Sequence, residues 1–418
     1  MLNDVLLLQK RELEKRISEP YIQRRIGHNK TNNGLIKVIL GPRRAGKSFL
    51  GFHILNKTSK YGYVNFDDEQ LLGVKDYNLI VDAINTVYDN PSNLLLDEIQ
   101  NLDKWELFVN RLQRQGYNLI ITGSNSKLLS KELATHLTGR HIPISILPFS
   151  FTEFLKIQGK ELTTTELKSM CDKYIIYGGY PEPWIKNVDF KEYLSTLFNS
   201  IIYKDIVKRF NIRRVEALEN LAVYLISNVA REFSYNTLAK VTSCKSVHTI
   251  EKYLGYLEES FLFFRINMFS YKLKEQLSAN KKIYCIDNGY IHAKAFKLSP
   301  DYGKLYENVV AIELKRRELE GKSQVFYWKN AQQEEVDFVV KQGTKAVQLI
   351  QVCYDTTARE TKDREKRALL KASKELRCTD LLILTDNYTA EEEFKWYGKN
   401  CKIKYVPVWS WLLNQGTN

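Results

Sequence analysis

The residues with the clearest chemical spacing are Gly41-Pro42-Arg43-Arg44-Ala45-Gly46-Lys47-Ser48. They fit G-x-x-x-x-G-K-[ST], a loop that holds phosphate. Its glycines let backbone N–H groups converge on an anion. The Lys47 amine would reach terminal phosphates, and the Ser48 hydroxyl would ligate Mg²⁺. Phe49 opens the next segment, a helix whose N-terminus adds positive potential. Further along, Leu94-Leu95-Leu96-Asp97-Glu98 ends an apolar run on two acids. Asp97 would hold Mg²⁺ through its water shell, and Glu98 would polarise an attacking water. Each pattern also has a plain reading, a Gly-rich turn and a strand with surface carboxylates. Their succession along one chain favours phosphoryl chemistry.

Three more polar residues fall at the ends of apolar runs. Asn125, in Gly123-Ser124-Asn125-Ser126, stands where an amide would touch a γ-phosphate and the water. Asn65 would hydrogen-bond Glu98 and hold it off the water until a partner binds. Arg140, in Leu137-Thr138-Gly139-Arg140, would reach the γ-phosphate of a neighbouring copy, which implies self-association. A turn residue is the alternative for Asn125 and a surface salt bridge for Arg140.

These residues need a scaffold. Apolar runs at 35–40, 61–66, 94–98, 118–122 and 141–147 alternate with helical stretches at 78–88, 105–115 and 127–137. That alternation predicts an α/β core with a mostly parallel sheet. A charged helix is expected over 1 to about 27. After Pro148 the pattern turns helical to about residue 210. Over 218–288, a short helix at 236–241, a turn and a helix with Val247, Ile250, Leu254 and Leu257 on one face read as a helix-turn-helix. Strands at 261–266 and 281–286 would form its wing. Lys245, His248, Thr249 and Lys252 lie on the outer face of the second helix, with Lys272 and Lys274 between the strands, and together they suit DNA. A protein partner is the alternative. The last segment, 289–418, reads as helix 305–319, strands 324–328, 336–340 and 346–352, helix 361–376 and strands 381–385 and 402–408.

Composition sets the limits. The chain has 418 residues, 44% hydrophobic, enough for several packed cores, and a formal net charge of +13 that favours a polyanionic partner. Its apolar runs are too short to span a bilayer, so no membrane partner is expected. Asp4 and the lack of a long apolar stretch in the first residues argue against a signal peptide. Six cysteines without C-x-x-C spacing fit a reducing, cytoplasmic setting rather than zinc or disulfides.

Together the motifs at 41–48, 94–100, 121–126 and 137–140, with Leu-Pro-Phe-Ser-Phe-Thr-Glu-Phe-Leu (147–155), Gly-Gly-Tyr-Pro (178–181) and Ile-Tyr-Cys-Ile-Asp-Asn-Gly (283–289), resemble the AAA+ ATPases. More narrowly, they resemble bacterial and archaeal members that pair an AAA core with a C-terminal nuclease-like domain. The resemblance implies a P-loop AAA+ parallel-sheet core with Walker A and Walker B elements, a helical lid, a winged helix-turn-helix and a C-terminal α/β restriction-nuclease-like domain. The expected boundaries are 1–30 (N-terminal helix), 31–155 (core), 156–217 (lid), 218–288 (winged helix) and 289–418 (PD-(D/E)XK-like domain). ATP and Mg²⁺ are the implied ligands. Arg209, Arg213 and Arg214 are candidates for a sensor arginine in the lid. In the last domain Glu307, Asp337, Gln351 and Cys353 match the nuclease layout imperfectly. Gln351 stands for a carboxylate and Cys353 for a lysine, which argues for a degenerate site. An active metal-dependent nuclease is the alternative, with Lys341 or Lys345 as a spatial substitute for the lysine.

Overall fold

The computed structural model describes residues 2–26, 34–58, 60–123, 139–244, 246–296, 301–355, 359–396 and 399–414. The chain divides into one unit of Met1–Pro148 with Glu259–Phe261, and a second of Phe149–Glu258 with Leu262–Asn418.

In the first unit, β1 (Ile36–Leu40), β2 (Tyr61–Asn65), β3 (Asn93–Asp97), β4 (Asn118–Gly123) and β5 (His141–Ser145) form a sheet in the order β2-β3-β4-β1-β5. Every pairing in it is parallel. Of its central strands β1 is buried from end to end, and β3 and β4 apart from their first residues, which is why they read as apolar runs. Helices α1 (Leu2–Ile17), α2 (Lys47–Leu55), α3 (Tyr77–Tyr88) and α4 (Trp105–Arg114) complete the unit. The α3 helix starts at Asp76, whose carboxylate accepts from Asn78 N, and buries Ile80, Ala83 and Ile84 on one side. The α1 helix stops at Ile17, short of the expected 27, because Pro20 holds the preceding residue out of helical geometry. The helix expected at 127–137 lies outside the described residues.

The second unit begins with α5 (Phe151–Leu155), α6 (Thr164–Tyr177), α7 (Pro181–Lys186), α8 (Phe190–Ser200), a π-helix (Ile201–Lys208) and α9 (Val215–Ser227). Capping boxes, Ser150 with Glu153 and Thr163 with Glu166, set the starts of α5 and α6. There follow β6 (Arg231–Phe233), α10 (Tyr235–Val241), α11 (Val247–Glu259), β7 (Phe263–Met268), α12 (Leu273–Ser278), β8 (Lys281–Cys285) and α13 (Asn288–Lys294). The chain continues through α14 (Tyr302–Leu319), β9 (Gln324–Lys329), β10 (Glu335–Gln342), β11 (Lys345–Cys353), α15 (Arg359–Leu376), β12 (Leu381–Thr385), β13 (Ala390–Trp396), β14 (Lys399–Pro407) and α16 (Val408–Leu413).

One mixed sheet of nine strands, β13-β14-β12-β11-β10-β9-β7-β8-β6, runs through this unit. The two strands expected as a wing are therefore not free-standing. β7 pairs with β9 in parallel, Asn267 opposite Phe326 and Met268 opposite Tyr327, and carries the sheet across residue 288. β13 was not expected from its run of glutamates. It forms because Glu391 and Glu393 face Lys404 and Lys402 of β14, and Lys402 Nζ lies 2.6 Å from Glu391.

Two motifs far apart in sequence interlock here. The Asp287 carboxylate accepts from Gly179 N at 2.7 Å and Gly289 N at 2.8 Å. Gly178 has φ 76°, and a Cβ there would stand 1.8 Å from Asp287 Oδ1. Tyr290 OH and Tyr180 OH are 2.8 Å apart beside this junction. Among the described residues no helix is long and apolar enough to cross a membrane.

Candidate nucleotide site and acidic cluster

The 41–48 loop connects β1 to α2. Gly41 lies against the end of β5, where a Cβ would meet Ile146 O at 2.0 Å. Gly46 takes φ 92° and ψ 26° at the helix start, a left-handed conformation that glycine adopts without strain. A Cβ at Gly46 would meet nothing within 4 Å, so it is the backbone conformation rather than space that favours glycine there. Pro42 and Ala45 are buried, Arg43 and Phe49 half-buried and Arg44 exposed. Lys47 is 4% exposed; its ammonium donates to Pro42 O at 3.1 Å and lies 3.7 Å from Glu98 Oε1.

Asp97 ends β3 and is buried. Ser48 Oγ donates to Asp97 Oδ1 at 3.0 Å, Thr122 Oγ1 donates to the same oxygen, and Tyr63 OH donates to Oδ2 at 3.2 Å. Burial, and then the charge of Glu98, push Asp97 above the usual carboxylate range. Glu98 sits at φ 49°, a strained conformation for a residue with a side chain. Its N–H donates to Thr122 Oγ1 at 3.0 Å, and its carboxylate accepts from Gln100 Nε2 at 2.5 Å. A hydroxyl and a carboxylate in contact, beside a buried ammonium and a glycine-bearing loop at a helix start, are groups that could hold a divalent cation and phosphate oxygens.

Asn65 pairs in register with Asp97. Its Oδ1 accepts from Asp67 N at 3.0 Å, and its backbone N–H and C=O bond to Gln9 of α1. Arg140 is exposed, and its carbonyl accepts from Ile36 N at the start of β1. Asn125 lies outside the described residues. Tyr63 and Thr122 were not singled out from the sequence. Their only signal was a hydroxyl within an apolar strand, and β-sheet pairing is what brings them to Asp97.

On α11, His248 and Lys252 are exposed and Thr249 half-buried, with His248 Nδ1 4.0 Å from Glu251. Lys272 and Lys274 are exposed beside α12, and Lys272 Nζ pairs with Glu275 at 2.9 Å. Lys245 lies outside the described residues. Arg209 follows the π-helix, with its guanidinium 5.6 Å from the Phe210 ring centre.

Glu307, Asp337 and Gln351 come together on α14, β10 and β11. Gln351 Oε1 accepts from Asp337 N at 3.1 Å, its Nε2 donates to Glu365 at 2.5 Å, and Asp337 Oδ2 accepts from Val352 N at 3.0 Å. Burial pushes the Cys353 thiol up to about 11, so it stays protonated at neutral pH. Lys341 is engaged elsewhere, donating to Gln324 at 3.2 Å, and Lys345 is exposed. The cation in this cluster is instead Lys282 of β8, 2.9 Å from Glu307, 2.5 Å from Glu335 and 3.1 Å from Asp337. No group of three or more His, Cys, Asp or Glu side chains among the described residues is arranged to hold a metal ion.

A family model described as an AAA domain matches residues 33–155. Two domains of unknown function, DUF8612 and DUF4143, match 169–301 and 302–408. An uncharacterized protein of Methanocaldococcus jannaschii is 38% identical over 90% of this chain and 88% of its own. An uncharacterized protein of Haemophilus influenzae is 34% identical over 72% of this chain and 78% of its own. Among solved structures, Cdc6p from Pyrobaculum aerophilum is similar with TM-score 0.29 and 14% identity, over 64% of this chain and 93% of that one. The S. cerevisiae Hsp104–ADP complex is similar with TM-score 0.28 and 15% identity, over 60% of this chain and 39% of that one.

Proposed function

For this chain, which belongs to one family with these Methanocaldococcus and Haemophilus proteins and carries an AAA domain, we infer ATP binding and Mg²⁺-dependent ATP hydrolysis at the 41–48 loop. The observation that carries this reading is the meeting of Lys47, Ser48, Asp97 and Glu98 at the C-terminal edge of the parallel sheet. Lys47 exchanges its bond to Pro42 O for phosphate oxygens. Ser48 would ligate Mg²⁺ and Asp97 would hold it through its water shell, with Thr122 and Tyr63 keeping the Asp97 carboxylate in place. Bound Mg²⁺ would neutralise charge developing between the β- and γ-phosphates. Glu98 orients and polarises the attacking water. Asn125 is assigned to the γ-phosphate, Asn65 to the restraint of Glu98, and Arg140 to the nucleotide of a neighbouring copy.

The load of this engine is read as DNA. The succession α9, β6, α10, α11, β7, α12, β8, with β8 between β7 and β6 in the sheet, supports a winged helix over 218–288 whose wing carries the short helix α12. Its second helix carries His248, Thr249 and Lys252, with Lys245, Lys272 and Lys274 nearby in sequence. Residues 31–155 are assigned to the ATPase core, 156–217 to a lid and 289–418 to a nuclease-like domain without cleavage, in a cytoplasmic protein. A scaffold that grips a protein partner is the second reading. Glu251 beside His248, and the Lys272–Glu275 pair, dilute the basic face and favour it.

ATP turnover with no DNA, and with duplex, branched and single-stranded DNA at two salt concentrations, tests both. Stimulation by DNA that fades as salt rises supports the DNA reading. Stimulation by a protein fraction alone supports the scaffold. Absence of both nucleotide binding and turnover overturns the assignment of the loop.

A further inference from the structure

Lys282 is the most enclosed charged side chain of the acidic cluster, 1% exposed on β8. An ammonium has three donors. Here they are matched by Glu307 Oε1 at 2.9 Å, Glu335 Oε1 at 2.5 Å and Asp337 Oδ1 at 3.1 Å. The carboxylates have further partners of their own. Glu307 Oε1 accepts from Tyr284 OH at 2.8 Å, and its Oε2 accepts from Lys304 Nζ at 2.8 Å. Asp337 Oδ2 accepts from Val352 N at 3.0 Å. The Lys282 ammonium also lies 5.8 Å from the centre of the Tyr327 ring. The cluster thus joins β8, in the 218–288 segment, to α14 and β10 of the following one.

Glu307 and Asp337 are 4% and 6% exposed, and carboxylates so buried require a cation, since a lone charge out of water is strongly disfavoured; Glu335, 28% exposed, completes the set from the rim. Burial by itself disfavours the charged form of Lys282. The surrounding Glu307, Asp337 and Glu335 hold it charged, well above its ordinary value. Burial works against Glu307 as well, yet Lys282 and Lys304 keep it ionised, below its ordinary range. Burial and the charge of Glu307 push Asp337 up to about 7, and Lys282 acts in the opposite direction. Divalent metal chemistry places oxygens at roughly 2.0–2.6 Å around an ion that also meets the substrate phosphate and a water. A tethered ammonium with every donor used, sealed under the sheet, does neither.

We propose that Lys282 is the resident cation of the Glu307–Glu335–Asp337 cluster, occupying the place that a divalent metal would take and tying β8 to α14 and β10. The C-terminal domain is then a metal-independent platform that fixes the 218–288 segment, and its acidic cluster is a latent metal site closed by the chain itself. This rests on the reading of the domain as a nuclease fold that does not cleave.

The test uses the full chain without nucleotide. Fe²⁺ with ascorbate and peroxide is applied, and backbone cuts are mapped by mass spectrometry; thermal unfolding is followed with and without Mn²⁺. For the wild type, no cuts near 307 or 335–337 and no Mn²⁺-dependent rise in Tm that Asp337→Asn removes are expected. Either signal overturns the proposal. Lys282→Ala is expected to lower Tm by on the order of 10 °C. It is also expected to gain cuts at 307 and 335–337 and a saturable Mn²⁺-dependent recovery of Tm that Asp337→Asn abolishes. A soluble Lys282→Ala protein blind to Mn²⁺ also overturns it; if this variant does not fold, the wild-type mapping decides. Cleavage of plasmid or branched DNA by wild type that Asp337→Asn removes defeats the underlying nuclease reading. Metal bound at the cluster without cleavage defeats this inference alone.

Discussion

Thr122 sets the geometry of the acidic pair with one hydroxyl, which donates to Asp97 and accepts from the N–H of Glu98. Replacing it by valine keeps the shape and removes both bonds. At about 1 kcal/mol each, Thr122→Val should lower Mg²⁺-dependent kcat roughly 10- to 30-fold while ATP affinity measured in EDTA stays near that of wild type. Equal loss in both would mean the hydroxyl only supports the fold. Lys47→Ala removes the ammonium itself, and nucleotide affinity by fluorescence titration should fall about 100-fold or more. Glu98→Gln keeps the shape and loses the base. Its affinity should hold while kcat falls roughly 10²- to 10⁴-fold in a phosphate-release assay. Normal turnover in both Lys47→Ala and Glu98→Gln would falsify the ATPase assignment.

Among the elements, the junction between Gly178–Tyr180 and Asp287–Tyr290 has the sharpest requirements. A Cβ at Gly178 would lie 1.8 Å from Asp287 Oδ1, and φ there is 76°. Gly178→Ala should therefore cost roughly 2–5 kcal/mol in urea unfolding. Burial pushes Asp287 from 3.8 up to about 7, against the two N–H groups that favour its charge. The folded value lies above the unfolded one, so the stability it confers is full below 3.8 and is lost as pH rises to about 7. The wild type's Tm relative to Asp287→Asn should fall across that window. A difference that stays flat, or that grows with pH, would count against the buried carboxyl as its cause.

For the whole molecule, the question is whether copies work together. Arg140 is exposed immediately before β5, and a finger needs a neighbour. Arg140→Ala and Lys47→Ala proteins should each be inactive alone, and mixing should restore part of the turnover. No rescue at any ratio speaks against a finger acting between copies. The net charge of +13 spreads over both units, so DNA affinity, where present, should fall steeply with salt.

The phosphate loop, the Asp97-Glu98 pair and the order of strands and helices in the first unit were legible in the sequence. Their determinants are local: glycine spacing, an apolar run and the residues that end it. The register that brings Tyr63 to Asp97 was not legible, because a one-strand displacement in a sheet leaves no mark on the neighbours in sequence. In the second unit the sequence marked Glu307, Asp337, Gln351 and Cys353, with Cys353 at the lysine position and Lys341 or Lys345 as a spatial substitute. Folding brought Lys282 instead, from 25 residues before Glu307 and 55 before Asp337. Strands expected at 261–266 and 281–286 form as β7 and β8, but the pairing of β7 with β9 was not legible, since β7 has no pattern of its own that names its partner. By itself the sequence determined which chemistry the first unit is equipped for, because that chemistry depends on residues held within one loop and two strand ends. Tertiary structure alone decided which cation faces the buried carboxylates of the second, because desolvation and proximity arise only when distant strands close over one another.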